Sequence, residues 1–291
     1  MAQQPDLELA LRLADIADSI TTRRFRARDL RIREKPDRTP VTDADTAVET
    51  AVREVLRSAR PDDAFAGEET GGSVTAGRTW MVDPVDGTKN FLRGVPVWAT
   101  LIALLEDGRP TVGVISAPAL HGRWWAAAGQ GAWLRRGSAD SAPLPLRVSG
   151  NTRLADAYLS TTSTRTWDVF HSREAYLALA EACWEDRAFG DFLQHCMVAE
   201  GTLDIAAEPV VNPWDITAVQ VLVEEAGGVC TDLLGASPHS GTGALSANPR
   251  LHRLALDVLS APPDAVLDHG PVVAPVPDHQ IGPPPRKGPS C

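Results

Sequence analysis

The stretch Trp80-Met81-Val82-Asp83-Pro84-Val85-Asp86-Gly87-Thr88-Lys89-Asn90-Phe91 decides how the rest of the chain is organised. Its first three residues are apolar and predict the end of a buried strand. Asp83 then begins a turn, and we expect Pro84 to end the hydrogen bonding of the strand because proline has no backbone N–H. Two carboxylates, Asp83 and Asp86, therefore flank a stiff piece of backbone, and a glycine and a threonine follow directly.

The chemistry of this stretch favours a site for a metal ion and a phosphate group. Carboxylate oxygens are the ligands that hard divalent cations prefer. Gly87 and Thr88 place backbone N–H groups where a glycine turn enters a helix or tight loop, and such groups hold phosphate oxygens. The alternative is a solvated Asp-Pro and Asp-Gly turn, which is common in proteins. The other acidic motifs of the chain favour the first interpretation.

Two further acids lie where helices are predicted to begin. One helix is predicted to start at Thr42 or Asp43, and N-capping explains one acid there but not Asp45 as well. The segment 214–218 opens an apolar helix, which places Asp215 at or near its N-cap. Capping is therefore a sufficient explanation for Asp215, whereas Asp45 is well placed to hold a water molecule or a metal-bound group.

Glu68 and Glu69 follow a short apolar piece, residues 64–66. Two adjacent glutamates are usually a solvated pair. Neighbouring side chains of a strand point to opposite faces, so both can enter one site only where the chain turns. The residues Gly71-Gly72 directly after them predict such a turn, leading into a mobile loop.

The composition is that of an ordinary globular protein and argues against several classes of function. The 291 residues carry a formal net charge of −10, and a general nucleic-acid binder would need a basic face. None of the four cysteines belongs to a C-x-x-C pair, so we expect free thiols in a reducing compartment. No apolar run is long enough to span a membrane, and the N-terminus lacks the apolar core of a signal peptide. We therefore expect a cytoplasmic protein without a membrane partner.

Hydrophobic periodicity predicts helices flanking antiparallel strands, and hence an α+β fold. The apolar segments 97–105 and 110–116 flank an Asp-Gly turn and predict a β-hairpin. The segments 123–126 and 131–134 predict two more strands of the same sheet. Later in the chain, a single helix is predicted over 168–183.

The chain is predicted to form one domain and a tail. Residues 1–260 contain the periodic segments, and we expect two halves joined near 137–157, where serine, alanine and proline accumulate. The segment 261–291 is rich in proline and lacks hydrophobic periodicity. We therefore expect a disordered or extended tail there.

Taken together, the motifs resemble those of the inositol monophosphatase superfamily. The match rests on Gly67-Glu68-Glu69, on residues 83–91 and on Trp214-Asp215-Ile216-Thr217-Ala218, in this order and at fitting spacing, with Lys35 and residues 40–45 in support. It covers roughly residues 6–260. Within the superfamily the chain is most similar to the actinobacterial-type histidinol-phosphatase branch, through residues 86–98, Trp124-Trp125 and Phe189-Gly190-Asp191-Phe192.

The resemblance implies a layered α-β-α-β-α sandwich and Mg²⁺-dependent hydrolysis of a phosphate monoester. The metal ligands that it implies are Glu68, Asp83 and the Val85 carbonyl for one Mg²⁺, and Asp83, Asp86 and Asp215 for a second. The implied catalytic residues are Thr88 with Asp45 or Glu69, which would orient and deprotonate the attacking water. The implied substrate-binding residues are Asp86, Gly87, Thr88 and Lys89, together with Arg187, Asp191 and Glu208, which would face the alcohol part of the substrate.

The residue types agree with this chemistry. A phosphate monoester dianion repels a nucleophile, and two metal ions can neutralise it, activate a water and stabilise the leaving alkoxide. The sequence shows no His-rich cluster and no activated Ser or Cys motif. His121, His171 and His195 are scattered, and we interpret them as structural or surface residues. Direct attack by a metal-bound water is therefore favoured over a covalent phospho-enzyme.

We expect hydrolysis of L-histidinol phosphate to L-histidinol, a step of histidine biosynthesis, by a homodimer acting on this small phosphorylated substrate. Asp191 and Glu208 favour this substrate because acids near the leaving group suit a cationic amino alcohol better than a polyol. The alternatives within the fold are inositol monophosphate, fructose bisphosphate and a nucleotide bisphosphate. A further hypothesis is a non-catalytic interaction protein that uses the proline-rich tail, which is disfavoured because every implied metal position carries a suitable ligand.

Overall fold

Two β-sheets and the helices around them form the part of the chain that the computed structural model describes, residues 4–36, 39–138, 140–240 and 243–260. The tail expected over 261–291 lies outside the described residues. The helices are α1 (Gln4–Arg24), α2 (Asp43–Ala59), α3 (Thr88–Arg93), α4 (Thr164–Phe170), α5 (Arg173–Ala182), α6 (Asp191–Glu200), α7 (Pro213–Glu225) and α8 (Pro249–Leu259).

The strands fall into three groups. A short hairpin consists of β1 (Ile32–Glu34) and β2 (Pro40–Thr42). The larger sheet contains β3 (Ala64–Gly67), β4 (Arg78–Asp86), β5 (Ala99–Glu106), β6 (Arg109–Ala117), β7 (Gly122–Ala127), β8 (Ala132–Arg136) and β9 (Leu144–Pro145). The smaller sheet contains β10 (Tyr158–Ser160), β11 (Glu185–Arg187), β12 (Ile205–Glu208), β13 (Val229–Thr231) and β14 (Ala244–Ala247).

The larger sheet has seven strands in the order β3-β4-β5-β6-β7-β8-β9. Neighbouring strands within this sheet run antiparallel, except for the parallel pair β3 and β4. Helices α1 and α2 cover one face with an apolar cluster that includes Leu13, Val52 and Trp80. Helix α7 packs on the other face so closely that a Cβ on Gly113 would lie 2.4 Å from the Ala218 carbonyl oxygen.

The smaller sheet has five strands in the order β11-β10-β12-β14-β13. Helices α4, α5 and α8 cover its outer face through Trp167, Tyr176 and Leu251. Helices α6 and α7 lie between the two sheets and contact strands of both. The layer order is therefore α-β-α-β-α, which confirms the predicted α+β sandwich.

The predicted hairpin and the two strands predicted after it are present in the larger sheet. The hairpin around Asp107-Gly108 forms as β5 and β6, and β7 and β8 extend the same sheet. The chain leaves the larger sheet at Pro145 and enters the smaller one at Tyr158. None of the helices in the described ranges combines the length and the hydropathy needed to cross a bilayer.

Two expectations about secondary structure are wrong. The helix predicted over 168–183 is two helices, because the Ser172 side chain accepts the Ala175 N–H and starts α5 anew. Strand β4 does not end before Pro84 but continues to Asp86. A register shift between Asp83 and Asp86 takes Pro84 out of the ladder, so its missing N–H breaks no strand bond.

Candidate active site

Five of the eight predicted acids lie on the wall of one open cavity of about 780 Å³, whereas Asp45, Glu69 and Glu208 do not. Its wall contains the following residues from the predicted set: Glu68, Asp83, Val85, Asp86, Gly87, Thr88, Lys89, Asp191 and Asp215. A second, smaller cavity of about 130 Å³ shares Asp86, Asp191 and Asp215 with it and extends towards Glu208. We call these the acidic cavity and the side cavity.

Asp83 is the centre of the acidic cavity. It is only 2% exposed, and its Oδ1 accepts the Val85 N–H at 2.9 Å. Its carboxyl group also lies within hydrogen-bonding reach of Glu68 and Asp215. Burial, reinforced by repulsion from these acids, raises the pKa of Asp83 well above its usual range. Carboxylates this close need either a shared proton or a cation between them.

Asp86 connects the larger sheet to the layer of helices between the sheets. Its Oδ2 accepts the Phe192 N–H at 2.7 Å, at the first turn of α6. Burial raises the pKa of Asp86 well above its usual range, and the charges of Asp191 and Asp215 raise it further. The bulge in β4 positions this side chain, since it shifts the pairing register between Asp83 and Asp86.

Asp215 is the third residue of α7 and so lies near the N-cap, as the sequence predicted. Asn212 is the N-cap of α7, and Asp215 Oδ2 accepts its backbone N–H at 2.8 Å. This is the reciprocal half of a capping box. Burial, with added repulsion from Glu68, raises the pKa of Asp215 to about 7 despite the lowering effect of the bonds from Asn212.

Glu68 and Glu69 lie on a turn that directs both towards the site, as the following glycines suggested. Glu49 of α2, which the sequence reasoning missed, holds this turn by accepting the backbone N–H groups of Glu69 and Thr70, each at 2.8 Å. Glu49 is 1% exposed and lies on the same helix face as Val52. An acid on the buried face of an amphipathic helix is a signal that could have identified it.

Lys35 supplies positive charge to this turn. Its ammonium group lies 2.7 Å from Glu68 Oε1 and 2.7 Å from Glu69 Oε1. Burial disfavours the charged lysine, but the bonds and charges of the two glutamates together raise its pKa. The residue follows β1 directly, so the short hairpin carries it to the acids.

Thr88 and Asp45 come together as the resemblance implied. Thr88 Oγ1 lies 3.5 Å from Asp45 Oδ1 and donates to the Val85 carbonyl at 2.9 Å. Thr42 is the N-cap of α2, and Asp45 accepts both its N–H and its hydroxyl. Burial raises the pKa of Asp45 to about 6. Asp45 also has a ligand atom within 4.8 Å of those of Glu68 and Glu69.

Glu208 forms the far wall of the side cavity. Its Oε1 accepts from the Thr162 N–H, the Thr162 hydroxyl and the Gln194 amide. Burial raises the pKa of Glu208 to about 8. The nearby Asp191 accepts from the Asn90 amide at 3.1 Å. Nothing in the local sequence marked Thr162 or Gln194 as partners of these acids.

Lys89 and Arg187 are the predicted cations of the substrate site. Lys89 is exposed and lines the acidic cavity. Arg187 is also exposed, but its guanidinium bonds Glu185 at 2.7 Å, and it lies on the wall of neither cavity. The structure therefore does not bring Arg187 to the site, because it pairs with its neighbour along β11 instead.

The donor set of the acidic cavity fits hard divalent cations. It consists of carboxylate and carbonyl oxygens, and no described histidine or cysteine lines it. When Asp83, Glu68 and Asp215 are all ionised, they concentrate more negative charge than a buried site holds without a cation. The residues that could hold metal are Glu68, Asp83, the Val85 carbonyl, Asp86 and Asp215, with Asp45 and Glu69 close by.

Comparison with known proteins gives consistent matches along the chain. The model of the Inositol monophosphatase family matches residues 2–261. The histidinol-phosphatase of Mycobacterium tuberculosis (strain ATCC 25618 / H37Rv) is 56% identical over 259 residues, which are 88% of this chain and 98% of that protein. The histidinol-phosphatase of Streptomyces coelicolor is 49% identical over 252 residues, covering 85% and 94% respectively.

Solved structures show the same fold. An inositol monophosphatase from Zymomonas mobilis superposes with a TM-score of 0.78 at 31% identity, covering 90% of this chain and all of that one (100%). An inositol monophosphatase from Anabaena (Nostoc) sp. PCC 7120 gives a TM-score of 0.77 at 28% identity, covering 92% and 100%. These similarities extend over both sheets.

Proposed function

The chain belongs to the inositol monophosphatase family, and from this membership we propose that it hydrolyses L-histidinol phosphate to L-histidinol and inorganic phosphate. The observation that carries the proposal is the 56% identity to a histidinol-phosphatase over 88% of the chain. The acids of the side cavity agree with it, since Asp191 and Glu208 suit the cationic amino alcohol of this ester. The enzyme is thus a phosphoric monoester hydrolase, and its product belongs to histidine biosynthesis.

Metal dependence follows from the family, and we propose Mg²⁺ as the ion. Glu68, Asp83 and the Val85 carbonyl would hold one ion, and Asp83, Asp86 and Asp215 a second. When bound, the ions supply positive charge to the phosphate and lower the pKa of a water molecule. This assignment is supported by the all-oxygen donor set and by the mutual contact of the buried acids.

The chain's own groups have distinct parts in the proposed reaction. The backbone N–H groups of Gly87 and Thr88 bind the phosphate oxygens and hold the ester in line. Thr88 Oγ1 orients the attacking water, and Asp45, 3.5 Å away, accepts its proton. The pKa of Asp45, raised by burial to about 6, is close enough to neutral pH for such a base. Glu69 is the alternative base, since its carboxylate is close to Asp45.

The leaving alcohol lies towards the side cavity. Asp191 and Glu208 face the amino alcohol there, with Glu208 oriented by Thr162 and Gln194. Lys89 lies at the rim of the acidic cavity and contributes positive charge near the phosphate. Ionisation of the buried Glu208 is favoured by a cationic ligand, because burial has raised its pKa to about 8.

A phosphate-release panel tests the proposal. The purified protein with Mg²⁺ is assayed on histidinol phosphate, inositol 1-phosphate, fructose 1,6-bisphosphate and 3′-phosphoadenosine 5′-phosphate. We expect kcat/KM to be highest for histidinol phosphate by at least tenfold. A higher value for inositol 1-phosphate or for either bisphosphate would overturn the substrate, and no release from any ester would support a non-catalytic protein.

Assembly and compartment belong to the same proposal. We propose that the protein is a homodimer, which the family resemblance supports. We also propose that it is cytoplasmic, which is supported by three buried cysteines that carry free thiols, Cys183, Cys196 and Cys230. Sedimentation equilibrium of the purified protein tests the dimer. Fractionation of cells that express the tagged chain tests the compartment.

A further inference from the structure

Three buried side chains form a hydrogen-bonded chain from the side cavity to the edge of the smaller sheet. His195 of α6 lies on the cavity wall, and its Nδ1 is 2.9 Å from Ser246 Oγ on β14. The Ser246 hydroxyl donates to Cys230 Sγ on β13 at 3.3 Å. These residues are between 0% and 3% exposed, so water does not compete for their bonds. The proposed function uses none of the three.

The two contacts of Ser246 favour one tautomer of His195. When the Ser246 hydroxyl donates to Cys230 Sγ, its oxygen is left to accept from His195, which places the hydrogen on Nδ1. Burial lowers the pKa of His195 to about 4, so the ring is neutral at pH 7. The other ring nitrogen, Nε2, is then an unprotonated acceptor. No residue in the described part of the chain bonds it.

The side cavity combines this acceptor with a carboxylate and apolar walls. Glu208 Oε1 takes the bonds from Thr162 and Gln194, which leaves Oε2 without a described donor. Phe192, Val211 and Ile216 supply apolar surface between the polar groups. A ligand group that fits here is flat, largely apolar on its faces and carries N–H donors on its edge.

We propose that His195 is a specificity residue, whose Nε2 accepts a ring N–H from the imidazole of the substrate inserted in the side cavity. This inference rests on the proposed function, since it assigns the recognition of the ring that distinguishes histidinol phosphate from other amino alcohol esters. Glu208 Oε2 accepts the second ring N–H when the imidazole is protonated. Ser246 and Cys230 are positioning residues, because they hold the tautomer that exposes the acceptor.

A polyol fits this arrangement less well. Its hydroxyl groups project in every direction, and those facing Phe192, Val211 and Ile216 would lose their hydrogen bonds to water without replacement. An imidazole directs its polar groups outward in the plane of the ring and can bury its two apolar faces against these walls. A site with a fixed acceptor also discriminates strongly against a ligand that lacks the matching donor.

The test compares two esters and two variants. L-Alaninol phosphate retains the amino alcohol ester of histidinol phosphate but has a methyl group in place of the imidazolylmethyl group. His195→Asn keeps an amide near the Nδ1 position, where it can bond Ser246, and removes the acceptor in the cavity. His195→Gln places an amide oxygen near the Nε2 position. Far-UV circular dichroism and thermal midpoints confirm that each variant is folded.

We expect His195→Asn to raise KM for histidinol phosphate about tenfold, because one or two hydrogen bonds to the ring are lost. For alaninol phosphate, kcat/KM should stay within twofold of wild type. His195→Gln should recover part of the loss. Equal effects on both esters would overturn the role of His195 while leaving histidinol phosphate as substrate. If the wild-type enzyme prefers alaninol phosphate, the proposed function and this inference both fail.

A spectroscopic measurement covers the case in which the variants do not fold. In the ¹⁵N-histidine-labelled wild-type enzyme, the Nε2 resonance of His195 should have the shift of an unprotonated nitrogen. Adding L-histidinol and phosphate should move it as the acceptor gains a hydrogen bond, whereas L-alaninol and phosphate should not. A protonated Nε2 in the free enzyme, or no response to histidinol, would overturn the proposal.

Discussion

The carboxyl group of Glu49 occupies the space where a side chain on Gly67 would begin. A Cβ on Gly67 would lie 2.5 Å from the carboxyl carbon of Glu49 and 2.6 Å from each of its oxygens. Glu49 cannot yield easily, because its oxygens hold the N–H groups of Glu69 and Thr70. The glycine that precedes the two glutamates is therefore required by a buried acid on another element.

We expect Gly67→Ala to destabilise the protein by about 1–3 kcal/mol, as overpacking of a buried site does, and to lower turnover by releasing the Glu68–Glu69 turn. Gly150→Ala is a matched control, since a Cβ at Gly150 meets nothing within 4 Å. Urea unfolding and phosphate release measure both effects. A Gly67→Ala enzyme as stable and as active as the control would contradict the requirement.

Metal removal should affect both activity and stability. We expect EDTA to abolish phosphate release and Mg²⁺ to restore it, and the thermal midpoint to rise with Mg²⁺ concentration because the ion relieves repulsion among buried acids. Asp83→Asn should lose most of this midpoint shift, whereas Asp15→Asn, at an exposed acid paired with Arg123, should retain it. Undiminished turnover in EDTA would exclude the metal-dependent reaction.

Substitutions of Asp215 separate its capping role from metal binding. The amide oxygen of Asp215→Asn can still accept the Asn212 N–H, so stability without metal should change little. Turnover should fall on the order of a hundredfold or more, because the charge beside the ions is lost. Asp215→Ala should additionally lower the free energy of unfolding by about 1 kcal/mol.

Ser172→Ala provides the control for capping alone. Ser172 is the N-cap of α5 and accepts the N–H group of Ala175 at 3.2 Å, away from both cavities. Its substitution should also lower stability by about 1 kcal/mol but leave turnover unchanged. Near wild-type turnover of Asp215→Asn at limiting Mg²⁺ would show that Asp215 is only a capping residue.

His252 should make stability depend on pH. Burial lowers its pKa from 6.5 to about 4, so below pH 6.5 the unfolded chain binds a proton that the folded protein does not. Its contribution to stability is therefore complete above pH 6.5 and is lost as the pH falls towards 4. Since one pKa unit corresponds to about 1.4 kcal/mol, we expect a loss of about 1–2 kcal/mol between pH 7 and pH 5.

The matched variant for this effect is His252→Gln, which keeps a group able to bond Thr231 but does not titrate. Urea unfolding at pH 7 and pH 5 should show a smaller loss in the variant than in the wild type. The comparison cancels the contributions of the acids, which titrate in both proteins. An identical pH dependence of the two proteins would refute the assignment to His252.

Local signals predicted the α+β class and the main acids, whereas the order of the layers was implied by the family resemblance. The Asp107-Gly108 turn specifies its hairpin, and the spacing of Asp83 and Asp86 around a proline marks the site. The order of strands in the sheets depends instead on contacts between distant segments, which periodicity does not report. The break at Ser172 was missed because one capping bond divides an otherwise continuous helical pattern.

The supporting residues of the site were the hardest to predict. Glu49 acts through the backbone of a turn on another element, and Thr162 acts through Glu208. His195 was interpreted as structural or surface; it is buried and lies on a cavity wall, where we propose a role in specificity. Each of these roles exists only after distant segments have packed together. Arg187 is the opposite case. Its charge was predicted to face the substrate, but its guanidinium bonds Glu185 on the same strand.

The position of Asp215 on α7 has a consequence for synthesis of the chain. The ribosome makes Asp83 and Asp86 well over a hundred residues earlier, on the order of ten seconds at usual elongation rates. During that interval the nascent polypeptide carries these acids without the helix that completes the proposed ligand set. A prematurely terminated product ending before α7 would lack Asp215 and with it the proposed second ion position, and we expect it to release no phosphate.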